Sequence, residues 1–149
     1  MFTACKRSPV LFAEIMTLVE QDAGLLRECN KEGCVPLHLA ILHQAPLKVV
    51  NYMIQQWPEA VRQRNNAGDL PLHTALAVKK PKTRVIDRLV RAWPDSIRER
   101  NAHGHLPLHV ALAGGRSKLR AIQRLLQEWP DSVCEKDGNE ELPLHLAEC

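Results

Sequence analysis

The sequence predicts an all-α fold, a stack of helix-turn-helix units, on three observations. The motif P-L-H-x-A occurs four times, at Pro36, Pro71, Pro107 and Pro143, in steps of 35, 36 and 36 residues. Trp-Pro followed by an acid occurs at Trp57, Trp93 and Trp129, each time with its proline 13 residues ahead of the next P-L-H. Between these markers the apolar residues recur at i, i+3 and i+4, the spacing of one helix face. Two markers held in phase over successive copies define an internal repeat, and a period of this length belongs to stacked supersecondary units.

Within a unit, each element has its own reason. A short polar run opens it, with Gly33, Gly68 or Gly104 three residues before the proline, where glycine supplies the positive φ of a tight turn. The proline suits the first position of a helix, because the N–H it lacks would be unpaired there anyway. Leu72, Ala75 and Leu76 then form the apolar face of a short first helix. After a polar loop, Val85, Ile86, Leu89 and Val90 repeat that spacing on a second helix, which the proline after Trp93 ends. Such a helix pair cannot bury its apolar face alone, so neighbouring pairs share one continuous core, as in a solenoid.

Boundaries at Asn30, Asn65, Asn101 and Asp137 give full units 30–64, 65–100 and 101–136 and a half unit 137–149. Residues 1–29 align as the rest of a preceding unit, with Ile15, Leu18 and Val19 on the columns of Ile86, Leu89 and Val90. The whole chain, 1–149, reads as a single repeat domain.

A turn with glycine three residues before P-L-H-x-A, followed by paired aliphatics on a second helix, closely resembles the ankyrin repeat, whose signature is T-P-L-H-x-A at a period of about 33. The resemblance implies a solenoid of helix pairs with short turn or hairpin fingers, used for binding other proteins. It also implies that His38, His73, His109 and His145 are buried and bonded to the backbone of the turns. Three positions depart from that pattern. The helix-capping threonine is Val35, Leu70, Leu106 and Leu142 here, which predicts a loss on the order of 1 kcal/mol per helix and a buried column in its place. Trp57, Trp93 and Trp129 stand where the family has glycine after the second helix. Glu140 stands in the column of the turn glycines and predicts a distorted last finger.

A chain of 149 residues buries roughly 70% of its unfolded surface and needs no disulfide or metal to hold together. With 45% hydrophobic and 25% charged residues it is neither collagen-like nor disordered, and a net charge of +3 is too small to announce nucleic acid. Five unevenly spaced cysteines, Cys5, Cys29, Cys34, Cys134 and Cys149, do not form an extracellular disulfide framework. Glu14, Glu20 and Asp22 interrupt and follow the apolar stretch after Lys6 and Arg7, against a signal peptide. No segment reaches the roughly 20 apolar residues of a membrane span. The expectation is an intracellular protein, cytoplasmic or nuclear.

No catalytic residue, cofactor or metal is predicted. Histidines one period apart stand about 10 Å apart, the spacing of packed helices, too far to share an ion whose ligands lie near 2.1 Å. Cys29, Cys34, His38 and His43 match no standard zinc spacing, and no strained Gly-flanked nucleophile or phosphate-cradling loop is present. The tryptophan ladder reads as packing, with an aromatic strip that receives a ligand as the alternative.

The expected function is a non-catalytic scaffold that binds a protein partner through its turn tips and first helices. The candidate residues are Lys31, Glu32, Asn66, Asp69, Thr74, His103 and His105. The alternative is a polyanion, a nucleic acid or an acidic tail, on a basic ridge between the helices: Lys79, Lys80, Lys82 and Arg84 in one unit, Arg116, Lys118 and Arg120 in the next. A nucleic acid is the lesser of the two, because no exposed aromatics interleave with the charges. Because the chain starts and stops within a unit, a piece of a longer array is a third reading. The ends are expected to fray or to associate weakly end to end, otherwise leaving a monomer.

Overall fold

The computed structural model describes residues 17, 19–114 and 118–147, the side chains of 146 and 147 excepted. Most of the first half unit, including Ile15 and Leu18, lies outside the described residues, as do Arg116, Cys5 and Cys149. In chain order the α-helices are α1 (Pro36–Leu42), α2 (Leu47–Gln56), α3 (Pro71–Ala77), α4 (Thr83–Ala92), α5 (Pro107–Ala113), α6 (Leu119–Glu128) and α7 (Pro143–Ala147). Among the described residues the regular elements are all helical. Each P-L-H proline is the first residue of its helix, and each tryptophan ends the second helix of its pair.

A 3-10 turn follows each tryptophan, at Pro58–Arg62, Pro94–Arg98 and Pro130–Cys134. The repeat pattern did not contain this element. Trp57 leaves the helix at φ −142°, and the next proline restarts the chain in a tighter helix whose Ala60 N–H reaches the Trp57 carbonyl at 3.0 Å. A similar turn, Ala23–Arg27, precedes the first finger and is capped by the Asp22 carboxylate.

The helices pack in two rows. In one, α1 meets α3, α3 meets α5 and α5 meets α7; in the other, α2 meets α4 and α4 meets α6. Between the rows lies the core, with Leu37, Ala40 and Ile41 of α1 against Val49, Val50, Met53 and Ile54 of α2, and the same columns in the following pair. Val19 joins this cluster as expected from its column. On α6 the cluster narrows to Ala121 and Leu125, while Ile122 and Leu126 are half-buried.

The apolar cap positions Val35, Leu70 and Leu106 are buried. These positions offer no side-chain cap, and the motif histidine supplies part of one: the N–H of Leu70 donates to Nδ1 of His73 at 3.2 Å, and that of Leu106 to Nδ1 of His109 at 3.1 Å. This is the returning half of a capping box, supplied from the third helical position.

Charged staples join successive units. Arg64 donates to the Gly68 carbonyl of its own finger, to the Arg100 carbonyl 36 residues on, and to Glu99 at 2.5 Å. Arg100 repeats all three contacts with Gly104, Lys136 and Glu135. In the preceding half unit this column is Cys29, and Gln63 stands in the column of Glu99 and Glu135.

Candidate partner-binding surface

The four fingers are built alike. The side-chain Oδ1 of Asn30, Asn65, Asn101 and Asp137 accepts the N–H groups two and four residues on, at 2.8 to 3.0 Å. Such short polar side chains hold a tight turn by replacing backbone acceptors. Gly68 sits at φ +73°, and a Cβ there would stand 2.5 Å from the Ala102 nitrogen of the next finger. Neighbouring fingers also bond backbone to backbone, Asn66 N–H to the Glu32 carbonyl and Ala102 N–H to that of Ala67.

Glu140 also adopts a positive φ, 63°, and its finger closes like the others, with the Asp137 N–H bonded to the Glu141 carbonyl at 2.8 Å. The expected distortion is absent. A non-glycine residue takes the left-handed conformation instead, which costs about 1–2 kcal/mol.

At the finger tips Lys31, Glu32, Asn66 and His103 are exposed, and the Asn66 amide also donates to the Lys31 carbonyl at 2.9 Å. Asp69 and His105, expected on an open rim, are half-buried and tie fingers together. The Asp69 carboxylate accepts from the Asn101 amide at 2.8 Å, and Nε2 of His105 lies 3.3 Å from Oδ2 of Asp137. The physical reason is that each finger is narrow, so a side chain in this column meets the ladder residue of the next finger.

His38, His73 and His109 are buried, at 1, 0 and 0% exposure. Their Nε2 atoms donate to the carbonyls of Asp69, His105 and Glu141 at 3.0, 3.1 and 3.4 Å. For His73 and His109, the N–H arriving at Nδ1 fixes the neutral tautomer with its proton on Nε2. Burial pushes all three below the ordinary imidazole range, the backbone carbonyl opposing it. His145 departs from its column: it is exposed, although its Nδ1 accepts the Leu142 N–H at 3.2 Å. The ring is exposed because no further finger covers it among the described residues.

The first-helix row is uncharged. None of α1, α3 and α5 contains Asp, Glu, Lys or Arg, whereas α2, α4 and α6 all do. Leu42, Ala77 and Ala113, at the C-terminal ends of the three first helices, are exposed, with Thr74 and Val110 half-buried beside them. This apolar column was missed from the sequence, because it lies one turn beyond the variable motif position.

The basic ridge is only partly exposed. Lys79, Lys80, Arg84 and Arg120 are exposed. Lys82 donates to the Gln44 and Ala45 carbonyls at 2.6 and 3.1 Å. Lys118 is buried and donates to the Leu76 carbonyl, which corrects its place on the basic ridge. Lys118 satisfies a carbonyl in the last turn of the preceding first helix, where the helix dipole favours a cation, whereas Lys82 meets two carbonyls of the loop that follows α1. On the second helices Arg124 pairs with Asp87 and Glu128.

Trp57, Trp93 and Trp129 are half-buried against the core. A guanidinium from the preceding unit lies over each ring: Arg27 at 5.9, Arg62 at 5.1 and Arg98 at 5.2 Å from the centroid. Such a pair contributes about 0.5–1 kcal/mol at an exposed site, and the ladder thereby joins units rather than presenting open rings. Among the described residues no cluster of three or more His, Cys, Asp or Glu side chains is arranged to hold a metal ion. No helix among them is long and apolar enough to cross a membrane. Comparison of the sequence with family models and with curated proteins returns no match.

Proposed function

We propose that this chain is an ankyrin-like repeat solenoid that binds a protein partner along its row of first helices and the adjacent turn tips, without catalysing a reaction. The observation that carries the reading is the uncharged, exposed column Leu42, Ala77 and Ala113, repeated on α1, α3 and α5. An exposed apolar column on an uncharged row of helices, with the exposed polar tips Lys31, Glu32, Asn66 and His103 in the turns that precede those helices, is what a protein surface docks against. Polyanion binding has weaker support, because Lys82 and Lys118 already serve backbone carbonyls and Arg124 serves two carboxylates.

The test is affinity capture with the wild-type chain and with the double variant Ala77→Arg/Ala113→Arg, both nuclease-treated and matched in melting temperature. A protein retained by wild type and lost by the variant is the expected result. A partner held equally by both, or one that nuclease releases, overturns the reading.

A further inference from the structure

Lys118 is 4% exposed, yet no carboxylate among the described residues pairs with it. An ammonium carries three donors, and among the described residues the Leu76 carbonyl is the acceptor that meets it. Burying an ion without a counter-charge is costly, and a single peptide carbonyl is a partial compensation. Lys82, one repeat earlier, is placed differently: it is exposed and meets two carbonyls.

The surroundings differ as well. A small cavity of about 10 Å³ lies beside Lys82 and Val78, between Ile41, Ala45, Ala75 and Val85. Gly114 replaces Val78 in the next unit and packs directly on the Lys118 side chain, and beside it a groove of about 320 Å³ opens along α5. Ala77 and Ala113 line it, His105 and His109 lie toward the start of α5, and Lys118 lies beyond its end. At about 30 Å³ per water molecule, that is room for about ten water-sized groups. The Nε2 atoms of His105 and His109 are already turned to Asp137 and the Glu141 carbonyl, so among the described residues of the groove wall Lys118 is the charged group with donors to offer.

We infer that the groove between α3 and α5 receives an acidic side chain of the protein partner, its carboxylate accepting from the Lys118 ammonium and its neighbouring apolar atoms lying on Ala77 and Ala113. The inference rests on the protein-binding reading above and gives it a chemistry: the partner carries Asp or Glu beside small apolar residues. Charge-assisted hydrogen bonds in a desolvated site are the strong ones, so the acid sets specificity where the alanines cannot.

A random peptide library displayed to the folded wild-type chain tests this, with Lys118→Met and Ala113→Met as second and third baits. Wild type is expected to enrich peptides with Asp or Glu at one fixed position. Replacing that acid by its amide in a labelled peptide should weaken binding about ten- to hundredfold, a comparison that needs no variant of the protein. Against Lys118→Met the acid and amide peptides should bind alike, and Ala113→Met, which fills the groove from an exposed position, should lose both. Enriched peptides without an acidic preference, or discrimination between acid and amide that survives in both variants, overturn the inference. Peptides that lack the acidic preference but are lost by Ala77→Arg leave the protein-binding reading standing. A wild-type chain that enriches no peptide overturns both.

Discussion

Nε2 of His105 lies 3.3 Å from Oδ2 of Asp137, whose side chain has no exposed surface. The pair is the third member of a series in which the ladder residue of one finger meets a side chain of the finger before: Asn65 with the Cys34 sulfur at 3.7 Å, Asn101 with the Asp69 carboxylate at 2.8 Å, then Asp137 with His105. Partner chemistry changes from step to step while the position is kept. Burial alone would raise the Asp137 carboxyl, but the N–H groups of Glu141 and Asn139 and the nearby His105 hold it below its ordinary range.

Asp137→Ala removes the charged acceptor for the N–H groups of Asn139 and Glu141, two exposed residues whose amides are then left to water. The expected cost is about 1–3 kcal/mol in total, read by urea unfolding and by faster hydrogen exchange at those amides. Asp137→Asn keeps the Oδ1 acceptor used by the three other fingers and should cost less than about 1 kcal/mol. Equal losses in the two variants would show that the turn does not depend on that oxygen.

Acid pH should destabilise the fold through its buried histidines. His38, His73 and His109 are lowered from 6.5 in the folded chain, so the unfolded chain binds more protons below that value. Stability is then fully present above about pH 7 and is lost as pH falls through 6.5 toward the folded values. Urea midpoints measured from pH 7.5 to 5 should fall throughout the lower part of that range. Midpoints that stay flat to pH 5 would contradict the neutral, buried state of these rings.

The left-handed turn position separates two substitutions of opposite sign. Glu140→Gly should stabilise by about 1 kcal/mol, because glycine adopts φ +63° without the steric penalty of a Cβ. Gly68→Ala should destabilise by more than that, since the new Cβ would stand 2.5 Å from the Ala102 backbone nitrogen and 3.0 Å from its Cβ. Thermal melts of the two variants should shift in opposite directions.

Ser96 and Ser132 occupy one repeat column, and both are buried. The Ser132 hydroxyl donates to the Trp129 carbonyl at 2.7 Å, whereas the Ser96 hydroxyl has no partner among the described residues. Alanine already fills this column at Ala60, buried at 2%. Ser96→Ala should therefore be neutral or stabilising, while Ser132→Ala loses a hydrogen bond of about 0.5–1.5 kcal/mol. Differential scanning calorimetry of the pair distinguishes them, and a destabilised Ser96→Ala would show that its hydroxyl has a partner in solution.

Local chemistry that repeats in fixed phase is readable without a structure. Pro36, Pro71, Pro107 and Pro143 begin their helices because proline lacks the N–H a first turn leaves unpaired, and Leu72, Ala75, Val85 and Leu89 are buried because their spacing makes one apolar face. Those relations lie within one helix turn, so the order of residues determines them. The 3-10 turns after each Trp-Pro, the covering of each tryptophan by Arg27, Arg62 or Arg98, and the engagement of Asp69 and His105 between fingers were decided by packing. Lys118 shows the reason most directly. In sequence it continues a basic loop like that of Lys79 to Arg84, yet a side chain long enough to reach the Leu76 carbonyl 42 residues earlier meets an unsatisfied helix end there and is buried. Which charges remain on the surface depends on acceptors brought near by the neighbouring unit, and only the stacked units place those acceptors within reach.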